Sequence, residues 1–137
     1  MPPSIDRIDH VHLFVSERGR AERWYQDVLG LQRVPEMQFW ALEPGGPLTV
    51  ANGAGTVHLA LFERAAQPCR STIALAVGKD DFLAWRAHLS RALGRRPDLQ
   101  DHRISWSMYF SDPDGNPFEV TSYDYAALEP SLRREGH

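Results

Sequence analysis

Between residues 8 and 15 apolar and polar side chains alternate. Val11, Leu13 and Val15 fall on one side, and His10, His12 and Phe14 on the other. Successive strand side chains point to opposite faces, so this stretch reads as a strand with one dry face and one face open to chemistry. The period then becomes helical. Ser16 stands where it can cap a helix, Ala21, Trp24 or Tyr25, Val28 and Leu29 recur at helical spacing, and Gly30 can close the helix in the left-handed conformation. Strands are predicted next over residues 37–42, 48–51 and 56–62. They are divided by the turn formers Glu43-Pro44-Gly45-Gly46-Pro47 and Asn52-Gly53-Ala54-Gly55.

The pattern then restarts. Ile73, Leu75 and Val77 alternate with Thr72, Ala74 and Ala76, predicting a strand over 72–77. Asp80 or Asp81 can cap a second helix. Its stripe is Phe82, Trp85, Leu89 and Leu93, at i, i+3, i+7 and i+11, and Gly94 ends it. A loop rich in Arg, Pro and Asp leads to strands over 104–111 and 118–122, joined through Asp112-Pro113-Asp114-Gly115-Asn116 as a hairpin. Those turn positions account for both aspartates without a metal. The charged tail, residues 124–137, is expected on the surface or frayed.

Val11, Leu13 and Val15 recur as Ile73, Leu75 and Val77, 62 residues on, and Gly30 recurs as Gly94, 64 residues on. The chain thus reads as a diverged duplication of strand–helix–strands. One such half buries its sheet and helix poorly alone, so the two are expected to pair. The fold class that follows is α+β: a curved mixed sheet around a trough, with both helices outside. One domain is expected, with module one at about 5–66 and module two at about 70–123.

Composition narrows the function. With 42% hydrophobic and 24% charged residues the chain is of ordinary globular make-up, not a disordered one. A net charge of −3 without a Lys/Arg block gives no footprint for nucleic acid. No apolar run can span a bilayer, and the N-terminus lacks the basic start and apolar core of a secretory signal. Cys69 is the sole cysteine, so no internal disulfide forms and a cytoplasmic setting is expected. Nothing near Cys69 in sequence would activate its thiol. Phosphate-binding loops and nucleophile elbows are absent.

Two stretches carry a resemblance. Asp9-His10-Val11-His12-Leu13-Phe14-Val15, followed by Trp24-Tyr25-Gln26-Asp27-Val28-Leu29-Gly30-Leu31, resembles the opening of the glyoxalase/bleomycin resistance/dioxygenase proteins, the vicinal oxygen chelate superfamily. Tyr109-Phe110-Ser111-Asp112-Pro113-Asp114-Gly115-Asn116-Pro117-Phe118-Glu119-Val120 resembles the family's closing hairpin. The resemblance, which runs from about Ile8 to Tyr123, implies two βαβββ modules, often a homodimer, and a divalent metal (Zn, Mn, Fe or Ni) held by His and Glu. Residue by residue it implies His10 and Glu119 as metal ligands. The His implied on the first strand of module two falls on Thr72, a departure. A Glu implied on the last strand of module one falls near His58 or Ala60.

The ligand set expected from this resemblance is His10, His58 and Glu119, with Glu119 also able to move a proton. His12, Phe14, Thr72, Ser107, Tyr109 and Thr121 are expected to line the pocket. His10 and His12 lie about 6–7 Å apart between Cα atoms by strand rise, so one ion would fit both only tightly. The plainer reading of His10 is a partner for the sheet, and of Glu119 a solvated strand residue. However, Phe118 and Val120 point to the core and so turn Glu119 the other way. His88 and His102 read as surface and loop residues. The function expected is a metal-dependent lyase, isomerase or dioxygenase acting on a small oxygen-bearing molecule. The alternative is a metal-free binder of small molecules, as in the bleomycin-resistance branch.

Overall fold

A computed structural model describes residues 1–65 and 67–134, and its chain divides into two units, Met1–Pro68 and Cys69–His137. Residues 135–137 of the expected tail lie outside the described residues.

Module one contains β1 (Val11–Val15), α1 (Arg18–Leu29), β2 (Gln32–Arg33), a 3₁₀ turn (Pro35–Met37), α2 (Gln38–Ala41), β3 (Leu48–Ala51) and β4 (His58–Glu63). Its four strands are ordered β1-β4-β3-β2, with β1 parallel to β4 and the other pairs antiparallel. Leu13, Val15, Leu59 and Leu61 are almost fully buried, whereas His12 is exposed. Helix α1 buries Ala21, Tyr25, Val28 and Leu29, one side of a helix at i, i+4, i+7 and i+8. Its end is set by Gly30, which takes φ 70°, and the Leu31 N–H donates to the Tyr25 carbonyl.

Module two repeats the plan: β5 (Ile73–Ala76), α3 (Lys79–Leu93), β6 (Asp98–Asp101), β7 (Trp106–Ser111) and β8 (Pro117–Ser122), then α4 (Tyr125–Arg134). The strand order is β5-β8-β7-β6, again with the first and last strands parallel. Both modules are therefore βαβββ, and the α+β class is as expected. Phe82, Leu89, Trp106, Met108, Phe118 and Val120 form the core of this module. Asp112 shapes the β7–β8 turn: its Oδ1 accepts from the N–H groups of Asp114 and Asn116, and Gly115 takes φ 84°.

Five expectations are corrected. Residues 37–42 form the end of a 3₁₀ turn and α2, not a strand. Pro35 at the first turn position starts that turn, and the nearly continuous apolar run after it carries no period to tell strand from helix. Residues 98–101 form the edge strand β6, where Leu99 is buried, Asp98 and Gln100 are exposed and Asp101 is half-buried. The tail is not frayed over its described part: α4 buries Leu128 and Leu132, one helical turn apart, and Tyr125 stacks on Trp106 at 5.3 Å. Ser16 does not cap α1; the N-cap is Glu17, without a side-chain cap bond. Nor does an aspartate of its own cap α3: Gly78 is the N-cap, and Asp80 and Asp81 lie within the first turn.

The free N–H groups at the two helix starts are served instead from the far end of each module. Glu63 Oε2 accepts from the Arg18 N–H at 2.9 Å, and Asp124 Oδ2 accepts from the Lys79 N–H at 2.9 Å. Among the described residues no helix is long and apolar enough to cross a membrane.

Candidate functional site

A cavity of about 300 Å³ opens on the polar face of the module-one sheet. The strand pleat explains its floor. His12, Ala60 and Thr49 are register partners across β1, β4 and β3, so all three point the same way. Ala60 is the smallest of them and leaves the hollow. His58 begins β4, and Asp9 and His10 precede β1. Met37, Trp40 and Pro47 supply the apolar wall. Met37 and Trp40, three residues apart across the 3₁₀ turn and α2, share one side as helical spacing requires. The segment expected to be a strand thus forms the wall of the pocket.

The imidazoles are ordered. Asp9 Oδ2 and His10 Nδ1 lie 2.8 Å apart, and His10 Nε2 and His12 Nε2 lie 2.9 Å apart. The two rings stack at 4.9 Å and 28°. His12 also lies against Phe62, with 4.8 Å between ring centres. The hydrogen bond from His10, followed by the charges of His10, Arg7 and His58, holds the Asp9 carboxyl below its ordinary value. An ionised Asp9 accepts from the His10 Nδ1–H, and in the neutral form of that ring the lone pair lies on Nε2. His10 and His58 line the same cavity, as does His12. Phe14 shares their strand face but packs against Phe62 under the Arg64 guanidinium, outside the cavity lining.

Module two gathers the other expected residues. Glu119 points away from the buried Phe118 and Val120, and its Oε2 accepts from Ser107 Oγ at 2.6 Å. Ser107 Oγ lies 3.0 Å from Thr121 Oγ1, and Tyr109 is the register partner of Glu119. Burial, then the charge of Glu119, pushes the Tyr109 phenol above its ordinary value. The Tyr109 hydroxyl also meets His102 Nε2 at 2.9 Å. The sequence pattern reads His102 as a loop residue. It reaches Tyr109 because β6 ends at Asp101 and the turn folds back on β7, with the His102 N–H bonded to the Ser105 carbonyl. Thr72 is exposed just before β5.

The ladders also fix a register that the sequence left open. Val11 pairs with Leu59 as Ile73 pairs with Phe118, so Ala60 of module one corresponds to Glu119 of module two. The carboxylate position of module one is therefore an alanine. By the same step, His12 corresponds to Ala74.

Among the described residues no three His, Cys, Asp or Glu side chains are gathered closely enough to hold an ion on their own. The chemistry of the donors nonetheless fits a divalent metal in part. Neutral imidazoles suit Zn, Fe and Ni. Zinc–nitrogen bonds of about 2.0–2.1 Å in tetrahedral geometry place two neighbouring ligand nitrogens about 3.3 Å apart. The facing Nε2 atoms of His10 and His12 stand at 2.9 Å.

The family model for the Glyoxalase/Bleomycin resistance protein/Dioxygenase superfamily matches residues 7–120. Several solved structures are similar. One, described as a glyoxalase family protein from Bacillus anthracis, is 22% identical with a TM-score of 0.70, over 90% of this chain and 100% of that one. A protein from the mobile metagenome of V. pseudocholerae is 25% identical with a TM-score of 0.59, over 90% and 99%. The fosfomycin resistance protein FosX from Mesorhizobium loti is 20% identical with a TM-score of 0.60, over 94% and 99%. No curated protein sequence matches.

Proposed function

Since this chain belongs to the glyoxalase/bleomycin resistance protein/dioxygenase superfamily, we propose that it is a metal-dependent enzyme acting on a small oxygen-bearing molecule. The reaction is of the lyase, isomerase or dioxygenase type. The observation that carries the reading is the polar end of the module-one cavity, where Asp9, His10, His12 and His58 face a wall of Met37, Trp40 and Pro47. A pocket of this kind takes an apolar body and orients an oxygen-bearing end by a few polar groups.

On this reading His10 and His58 are imidazole ligands of module one, and Glu119 of module two is the carboxylate ligand that its hairpin motif implies. A divalent ion, when bound, stabilises negative charge developing on a substrate oxygen. The chain's own residues do the rest. Asp9 holds the tautomer of His10. The apolar wall keeps water from the substrate body. Glu119, oriented by Ser107, takes or returns a proton at its carboxylate oxygen.

A second reading, a metal-free binder, is favoured by Thr72 standing at the position where the family resemblance implies a histidine. The two are separated by elemental analysis of the untagged protein beside a His10→Ala/Glu119→Gln double variant. About one divalent ion per chain, lost in the variant, is the expected result. A protein that carries none and takes up none from added Zn²⁺, Mn²⁺, Fe²⁺ or Ni²⁺ is a binder.

A further inference from the structure

We propose that His12, a position the family motifs leave unassigned, is a metal ligand of module one beside His10, and that Asp9 positions His10 for this role. The inference rests on the metal reading above and deepens it.

The first argument is the repeat. In module two, the parallel pair β5–β8 sets small Ala74 beside Glu119. In module one, the equivalent pair β1–β4 sets His12 beside small Ala60. Each pair presents one side chain able to ligate a metal and one alanine on the same face, but on opposite strands. The carboxylate missing at Ala60 is answered by an imidazole on the neighbouring strand, and Ala60 leaves the room that the ring occupies.

The second argument is the facing of the rings. His10 Nδ1 lies 2.8 Å from Asp9 Oδ2, and the neutral tautomer that donates there carries its lone pair on Nε2. His12 brings its own Nε2 to 2.9 Å from that atom. The two nitrogens attract only if a proton or a cation lies between their lone pairs. Both side chains are exposed to water. A neutral hydrogen bond there contributes little, because water competes for both partners. A divalent ion bonded to both nitrogens holds them about 3.3 Å apart, so a small rotation of the exposed rings brings them into place. A carboxylate on the far nitrogen of a ligating imidazole is the usual way such a ligand is oriented and made more basic.

The test uses the full-length untagged chain and titrates Zn²⁺ against a chromophoric chelator. The Co²⁺ form is read in parallel by its visible absorption. His12→Asn is expected to weaken Zn²⁺ binding at least about tenfold and to change the Co²⁺ spectrum, and Asp9→Asn to weaken it about 10- to 100-fold. His12 is exposed, so circular dichroism is expected to show both variants folded. If the wild type binds one ion and His12→Asn keeps both affinity and spectrum, the His12 inference falls and the metal reading stands. If the wild type binds no ion, both fall. If His12→Asn weakens binding and Asp9→Asn does not, the role given to Asp9 falls.

Discussion

Ala60 decides what the module-one sheet can hold. It lies between His12 and Thr49 in the ladder, and its single methyl group leaves room for a cavity of about 300 Å³ that Trp40 also lines. A phenylalanine there would project a ring into that hollow, which faces solvent and not the packed core. Ala60→Phe is therefore expected to abolish binding of a neutral solvatochromic naphthalene dye while unfolding stays cooperative. Unchanged dye binding would show that ligands enter elsewhere. The alternation around His10 and His12 could be read directly because a strand has period two. The Ala60–Glu119 equivalence could not, because the sequence between β1 and β4 contains no marker of ladder register. His102 was hidden for a related reason: its partner Tyr109 is brought to it by a turn, and turns leave no period.

At the scale of elements, the sequence spoke clearly where one face is dry and weakly elsewhere. β1, α1, α3 and the β7–β8 hairpin each carry a period or a turn signature that names them. β6 carries neither, since an edge strand with one buried residue, Leu99, has charges where alternation would show. The pocket wall hides its helix for the opposite reason, being apolar at every position from Met37 to Leu42 apart from Gln38. α4 was obscured by its charge, although Leu128 and Leu132 sit four residues apart in plain view. Its place in the core can be measured. Leu128 is 1% exposed, and Leu128→Ala is expected to cost about 2–5 kcal/mol in urea unfolding. A loss within 0.5 kcal/mol, the range usual for surface substitutions, would mean that α4 is not part of the cooperative unit.

At the scale of the whole molecule, the duplication shows most clearly in the helix caps. Glu63 serves the N–H of Arg18, and Asp124 serves the N–H of Lys79; in each pair the two residues are 45 positions apart. The second pair follows the first by 61 positions, close to the 62 that relates the opening strands. Neither helix has a side-chain cap bond at its own N-cap residue. A βαβββ unit thus closes on itself: a carboxylate at or just past the end of the last strand serves the start of the helix that follows the first strand. Such a carboxylate satisfies an orphan N–H and meets the positive end of the helix dipole. Both bonds are solvent-exposed, which keeps each contribution modest. Glu63→Ala and Asp124→Ala are each expected to lower stability by about 0.5–2 kcal/mol, the cost usual for losing an N-cap side chain. The two losses should be of similar size, with an unchanged dependence on denaturant. The isosteric Glu63→Gln and Asp124→Asn, which keep an acceptor oxygen but lose the charge, should recover part of each loss. Equal losses with partial recovery would establish that both modules are closed by the same carboxylate-to-helix bond. A loss at one position only would mean that the repeat persists in backbone but has diverged in what holds it.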